Sequence, residues 1–329
     1  MSLKINKRII WVLAASLSLV SPGPVIAIQG IVTNQDGRSF EGDMRVDRNG
    51  TLQLDVAAGQ GSVSYSFSKD SLAGIEFLDA EIVEDGLDAF EQNQFEATIN
   101  NLESIHRNRS PFFKLLPVNA LAEPSLVLGK AYLEMNRFAD ATGVAGVLLG
   151  NDFSDPEITT QANEMRLLAF FGLERWDETE VLAKRWCADH EPFDESALGW
   201  WILGEVHLAR EDYEKARWIS LQPITFSSQY PKEYLQNCFH VAIASWLDES
   251  PDEALKLYQD YQGRGYTWPE DHHLEVKLKM ATLALSVEPE EVEEEELLTI
   301  DEGTPKKDLN LPLETVRKLT TQTETSQSP

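Results

Sequence analysis

The sequence predicts a mainly α protein: a solenoid of helical hairpins preceded by a small β-barrel domain and followed by a disordered acidic tail. Three observations predict it. Apolar residues alternate with period two between residues 28 and 79. From 80 to 287 a pattern of small and aromatic residues recurs at helical spacing. After Val287 the composition turns abruptly acidic.

The chain opens on a candidate export signal. Lys4, Lys7 and Arg8 form a positive stretch, Ile9 to Val20 an apolar one, and Ser21-Pro22-Gly23-Pro24 breaks any helix before Val25-Ile26-Ala27. The apolar run is shorter than the ~20 residues a bilayer-spanning helix needs. Cleavage after Ala27 is therefore expected, with a periplasmic or secreted location and no stable membrane insertion afterwards. Loss of the three basic residues takes the net charge from −27 to −30. That balance argues against nucleic acid and anionic lipid as partners, because both need clustered Lys and Arg.

Residues 28–79 read as about five short strands. Leu52, Leu54 and Val56 alternate with Thr51, Gln53 and Asp55, and Val63, Tyr65 and Phe67 alternate with serines. Asp36-Gly37, Asn49-Gly50 and Gly59-Gln60-Gly61 supply the turns. Gly30-Ile31-Val32, Phe40-Glu41-Gly42 and Ile75-Glu76-Phe77 resemble the Sm-like or SH3-like barrels at the front of some exported bacterial repeat proteins. RNA binding is not carried over with that resemblance, because basic residues are few and no aromatic stacking pattern is present.

In residues 80–287, Leu128-Gly129, Tyr132, Phe138 and Ala141 match Trp200, Leu203-Gly204, Tyr213 and Ala216. Weaker copies centre on Gly86 and Thr98, on Leu167 and Thr179, and on Ala242 and Ala254. The small second-helix residues Thr98, Ala141, Thr179, Ala216 and Ala254 lie 43, 38, 37 and 38 residues apart. The pattern resembles the tetratricopeptide (TPR) repeat, in which glycine on helix A and alanine on helix B allow close approach. The resemblance implies an α-solenoid with helices A lining a concave face. The third copy departs from it by lacking the glycine. Phe138 and Tyr213 are expected to wedge the two helices of their hairpins apart. His272 to Val287 is expected to be a capping helix with Leu274, Val276, Leu278 and Leu283 on its buried side.

Residues 288–329 are expected to be a disordered tail. Glu288 to Glu296 holds seven glutamates, and Thr320 to Pro329 has no apolar residue.

The chain carries no G-x-S-x-G elbow, phosphate loop, H-E-x-x-H or C-x-x-C. No catalytic residue, cofactor or metal site is expected. His272-His273 with Glu275 reads as an exposed helix start, since neighbours on a helix point about 100° apart. Cys187 and Cys238 read as buried free thiols too far apart to pair, with one hairpin between them. The function expected is that of a non-catalytic scaffold for a protein or peptide partner in the cell envelope. By fold analogy it resembles accessory factors of envelope assembly or of Tol/TonB-type energy transduction. The alternative is an exported hydrolase or carbohydrate-binding protein. The expected groove consists of Phe171, Trp201, Glu205, Leu208, Phe239, Ile243 and Trp246, with Lys130, Glu134 and Glu164 nearer its start. The register assigns Trp200 to the hairpin core and turns its neighbour Trp201 toward the groove.

Overall fold

The computed structural model describes residues 28–286 apart from 117–118, 154, 194, 228–233 and 269–272. The expected leader and acidic tail lie outside the described residues.

Strands β1 (Ile28–Asn34), β2 (Ser39–Val46), β3 (Leu52–Ala58), β4 (Gly61–Phe67) and β5 (Leu72–Phe77) form one antiparallel sheet in the order β4-β3-β2-β1-β5. A 3-10 turn, Lys69–Ser71, leads into β5. The turns are local chemistry. Gly50 adopts φ 75°, and the Asp47 carboxylate accepts the backbone N–H groups of Asn49 and Thr51 at 2.8 and 2.9 Å. Leu52 and Leu54 are fully buried as the alternation requires. Val63 and Tyr65 are not: they stay 46% and 38% exposed, because β4 is an edge strand with a neighbour on one side only.

The sheet does not close a core of its own. Val32, Met44, Leu54 and Phe77 belong to one apolar cluster with Leu102, Phe112 and Leu128 of the helical region. Phe77 meets Phe112 edge-on at 5.3 Å, and the Arg109 guanidinium lies 4.6 Å over the Phe77 ring while pairing with Asp79. A single five-stranded sheet has one apolar face to cover, and the first hairpins cover it.

The helices are α1 (Ala80–Glu91), α2 (Phe95–Arg109), α3 (Asn119–Glu134), α4 (Phe138–Leu149), α5 (Pro156–Gly172), α6 (Trp176–Asp189), α7 (Ala197–Ala209), α8 (Tyr213–Phe226), α9 (Leu235–Trp246), α10 (Pro251–Gly263) and α11 (Leu274–Ser286). The first ten make five hairpins. All five small residues of the B helices, Thr98 to Ala254, have no exposed surface. The first four hairpins turn through Asn93, Asn136, Glu174 and Glu211, each at φ 55–58°. One backbone bond recurs in them: Gln94, Arg137, Arg175 and Asp212 donate to the carbonyls of Ala89, Tyr132, Phe170 and His207.

Each helix A glycine admits a close neighbour: Gly86 within its own hairpin, Gly129 and Gly204 from the next hairpin as well. A Cβ on Gly129 would run into Met165 of α5, and one on Gly204 into Ser220 of α8 and Val241 of α9. Leu167 fills that position in the third hairpin, and α5 and α6 pack less closely than the helices of the other hairpins.

Three local expectations need correction. Tyr213 is no wedge; it is 46% exposed. Phe138, at the equivalent position, beds its ring on Gly172 of the next hairpin, whereas the residue equivalent to Gly172 for Tyr213 is the bulkier Leu247. In α11 the buried residue among the described side chains is Met280; Leu278 is 59% exposed, Val276 and Leu283 are half-buried, and the Leu274 side chain lies outside the described residues. Cys187 and Cys238 are free, as expected, but both reach the start of α7, toward the carbonyls of Ser196 and Ala197. Burial pushes the Cys187 thiol up to about 12 and raises Cys238 as well, which suppresses the reactive thiolate.

Candidate functional site

The A helices of the first three hairpins share a trough of about 540 Å³. Phe90 of α1, Leu133 of α3 and Leu168 with Phe171 of α5 supply its apolar walls. Lys130, Glu134 and Glu164 give it an ionic rim. These positions coincide because helix A residues one repeat apart face the same side of a solenoid.

Tyr234 closes one end. It sits in the left-handed region (φ 66°) just before α9, stacks on Trp201 with ring centroids 5.5 Å apart and planes 9° apart, and donates its hydroxyl to Glu164 at 2.5 Å. Phe171 meets the same indole edge-on at 5.4 Å. Behind them Trp201 Nε1 donates to Glu205 Oε1 at 3.0 Å, and His273 Nε2 donates to that same oxygen at 2.8 Å. Burial opposes a proton on His273, but the Glu205 bond and charge outweigh it and hold its pKa above the ordinary 6.5. His273 is therefore tied into the fold rather than standing at an exposed helix start.

The expected groove residues divide four ways. Phe171, Lys130, Glu134 and Glu164 line the trough. Trp201 and Glu205 are each 8% exposed and stand behind it as support. Phe239 and Ile243 have no exposed surface; Phe239 packs between Tyr261 and Tyr266, so neither presents a face to a ligand. Leu208 is half-buried, and Trp246 lies half-buried under the Arg217 guanidinium at 3.7 Å.

The two neighbouring indoles are exchanged relative to expectation. Trp200 is the half-buried one, stacked on Phe193 at 5.8 Å and bonded to Ser196 at 2.9 Å. The reason is that α7 is buried nearly all round from Ala197 to Val206. A side chain turned away from its own hairpin there meets another element instead of water. Tyr234 and His273 were not legible as site residues. Both owe their positions to left-handed backbone at the start of a helix, a conformation that is uncommon outside glycine and that their residue types alone do not specify.

Among the described residues, no group of three or more His, Cys, Asp or Glu could hold a metal ion. No described helix is long and apolar enough to cross a membrane.

No protein-family model matches the chain, and no curated protein matches it. Among solved structures, MamA of AMB-1 is similar at a TM-score of 0.40 and 13% identity, covering 56% of this chain and 97% of that one. Another MamA structure aligns at 18% identity and a TM-score of 0.40, covering 64% and 98%. TTC0263, a thermophilic TPR protein of Thermus thermophilus, aligns at 14% identity and a TM-score of 0.39, covering 63% and 99%. Likeness this loose says nothing of a ligand or partner. The TPR-like fold stands on the chain's own recurring turns and buried small residues.

Proposed function

We propose that this chain is an exported, non-catalytic scaffold whose trough holds an extended or helical segment of a protein partner. The observation that carries the reading is the trough itself, built from the A helices of three successive hairpins, with apolar walls and an ionic rim. Such a surface suits a segment that seats apolar anchors between charged edges. Phe171 is a contact residue in this reading, and Trp201 and Glu205 hold Tyr234 and His273 in place. The acidic balance of the chain favours a partner segment carrying cationic residues.

The envelope location rests on the basic and apolar pattern of residues 4–24 and on Val25-Ile26-Ala27, which suits cleavage after Ala27. The strand order and the 3-10 turn before β5 support reading the sheet as an Sm-like or SH3-like unit. Capture of partners from an envelope extract, read by mass spectrometry, tests the scaffold reading. Leu168→Asp, placed in the trough wall, should abolish capture while the circular dichroism spectrum stays unchanged. Full capture by that variant would remove the trough as the binding site.

A further inference from the structure

We propose that the cleft between α5 and α6 is a second binding site, one that takes a monoanionic carboxylate carried on an apolar group. Its origin is the missing glycine of the third hairpin. Gly86, Gly129 and Gly204 stand twelve residues before the small helix B residue; Leu167 stands twelve before Thr179. The bulkier side chain leaves α5 and α6 less closely packed than the other hairpins. Openings of about 480 and 540 Å³ result, and both are lined by Arg166 and Leu182.

Arg166 marks the cleft as a ligand site. Arg107, Arg109, Arg137, Arg175, Arg185, Arg210, Arg217 and Arg264 each pair with a carboxylate. Arg166 is the one described arginine of the helical region without such a pair. Its Nε is shielded from solvent and has no acceptor. In a chain of net charge −27, carboxylates are abundant, yet among the described residues none pairs with this guanidinium. A buried N–H donor without an acceptor is unfavourable, and an incoming carboxylate would satisfy it with a charge-assisted bond.

The surroundings select the class of anion. Thr160 and Asn163 add neutral donors at the first opening, and Trp186, stacked on His190 at 3.8 Å, gives it an aromatic wall. Arg185 lines it too, but its charge is engaged by Asp189 at 3.3 Å. One uncompensated cation matches one negative charge, and Asp189 disfavours a dianion. The second opening is lined by Phe170, Val181 and Leu182, with Val181 68% exposed, and offers a bed for the apolar part of the ligand; Arg175, Asp177 and Glu178 border it too, but Glu178 is paired with Arg175 and Asp177 with Arg210.

The test is an NMR chemical-shift titration of the isotope-labelled chain with benzoate, its neutral counterpart benzamide, and inorganic phosphate. Benzoate should shift resonances of α5 and α6 with a Kd on the order of 1 mM, as suits so small a ligand. Benzamide and phosphate should bind at least about 10-fold more weakly. Arg166→Gln should weaken benzoate by about 10-fold or more, and Arg166→Lys by less, because the charge is kept. Both variants should keep the wild-type circular dichroism spectrum. Absence of benzoate binding, equal binding of benzamide, phosphate binding as tight as benzoate, or equal behaviour of the two variants would each overturn the assignment.

Discussion

The exchange of the two indoles in α7 gives the sharpest test of the structure. Trp201→Ala removes a ring that is 8% exposed, flanked by Phe171 and Tyr234, and bonded to Glu205. Burial on that scale costs about 3–5 kcal/mol on truncation. The trough beside it lets water enter part of the vacated space, so about 3 kcal/mol is expected. Trp200→Ala removes the same atoms from a half-buried position stacked on Phe193, and roughly half that loss follows. At about 2–4 °C per kcal/mol for a unit of this size, Trp201→Ala should melt about 6–12 °C below wild type. Trp200→Ala should melt about 3–6 °C below it. Circular dichroism melts of the two variants under one buffer decide the matter. Equal melting temperatures, or a lower one for Trp200→Ala, would refute the placement of Trp201 behind the trough.

Thr179→Val should leave stability unchanged or raise it by about 1 kcal/mol in denaturant titration, because the Thr179 hydroxyl is buried without a partner and valine keeps its shape. Gly204→Leu should cost about 2–3 kcal/mol by the same measurement, since a side chain there runs into both Ser220 and Val241. The His273–Glu205 contact should stabilise the fold more in acid than in base. A histidine whose folded pKa is raised contributes fully below its unfolded value and loses that contribution as pH rises through the folded value, above the ordinary 6.5. The stability difference between wild type and His273→Gln should therefore be larger at pH 5.5 than at pH 8.5. Bonds from Lys184 and Arg210 hold the Glu180 carboxyl at about 2. Arg210→Met should raise that value toward the ordinary 4.5, read by NMR titration of the carboxyl carbon.

How far the site could be read from sequence depended on how local each residue's surroundings are. Lys130, Glu134, Glu164 and Phe171 were placed by helical period alone, since their face follows from register within a single helix. Phe239 and Ile243 were misplaced because register gives a direction but not what lies in that direction. For α9 that direction is filled by α10 and the aromatic residues beyond it. The third hairpin's missing glycine was visible in the sequence. Its consequence, a cleft around an unpaired Arg166, needed the packing of two helices to be seen.

By itself the sequence determined the order of elements, a run of helical hairpins and the small buried residue in each B helix. Those features rest on short-range sterics: glycine turns, period-two and period-3.6 burial, and the close approach that only Gly, Ala or a small Thr permits. Only the tertiary structure decided that the sheet shares its core with the first hairpins, that Trp201 rather than Trp200 is buried, and that Tyr234 reaches Glu164 across 70 residues of chain. Those outcomes depend on which surfaces meet, and the free energy of burying a face is nearly blind to the order in which its residues occur along the chain.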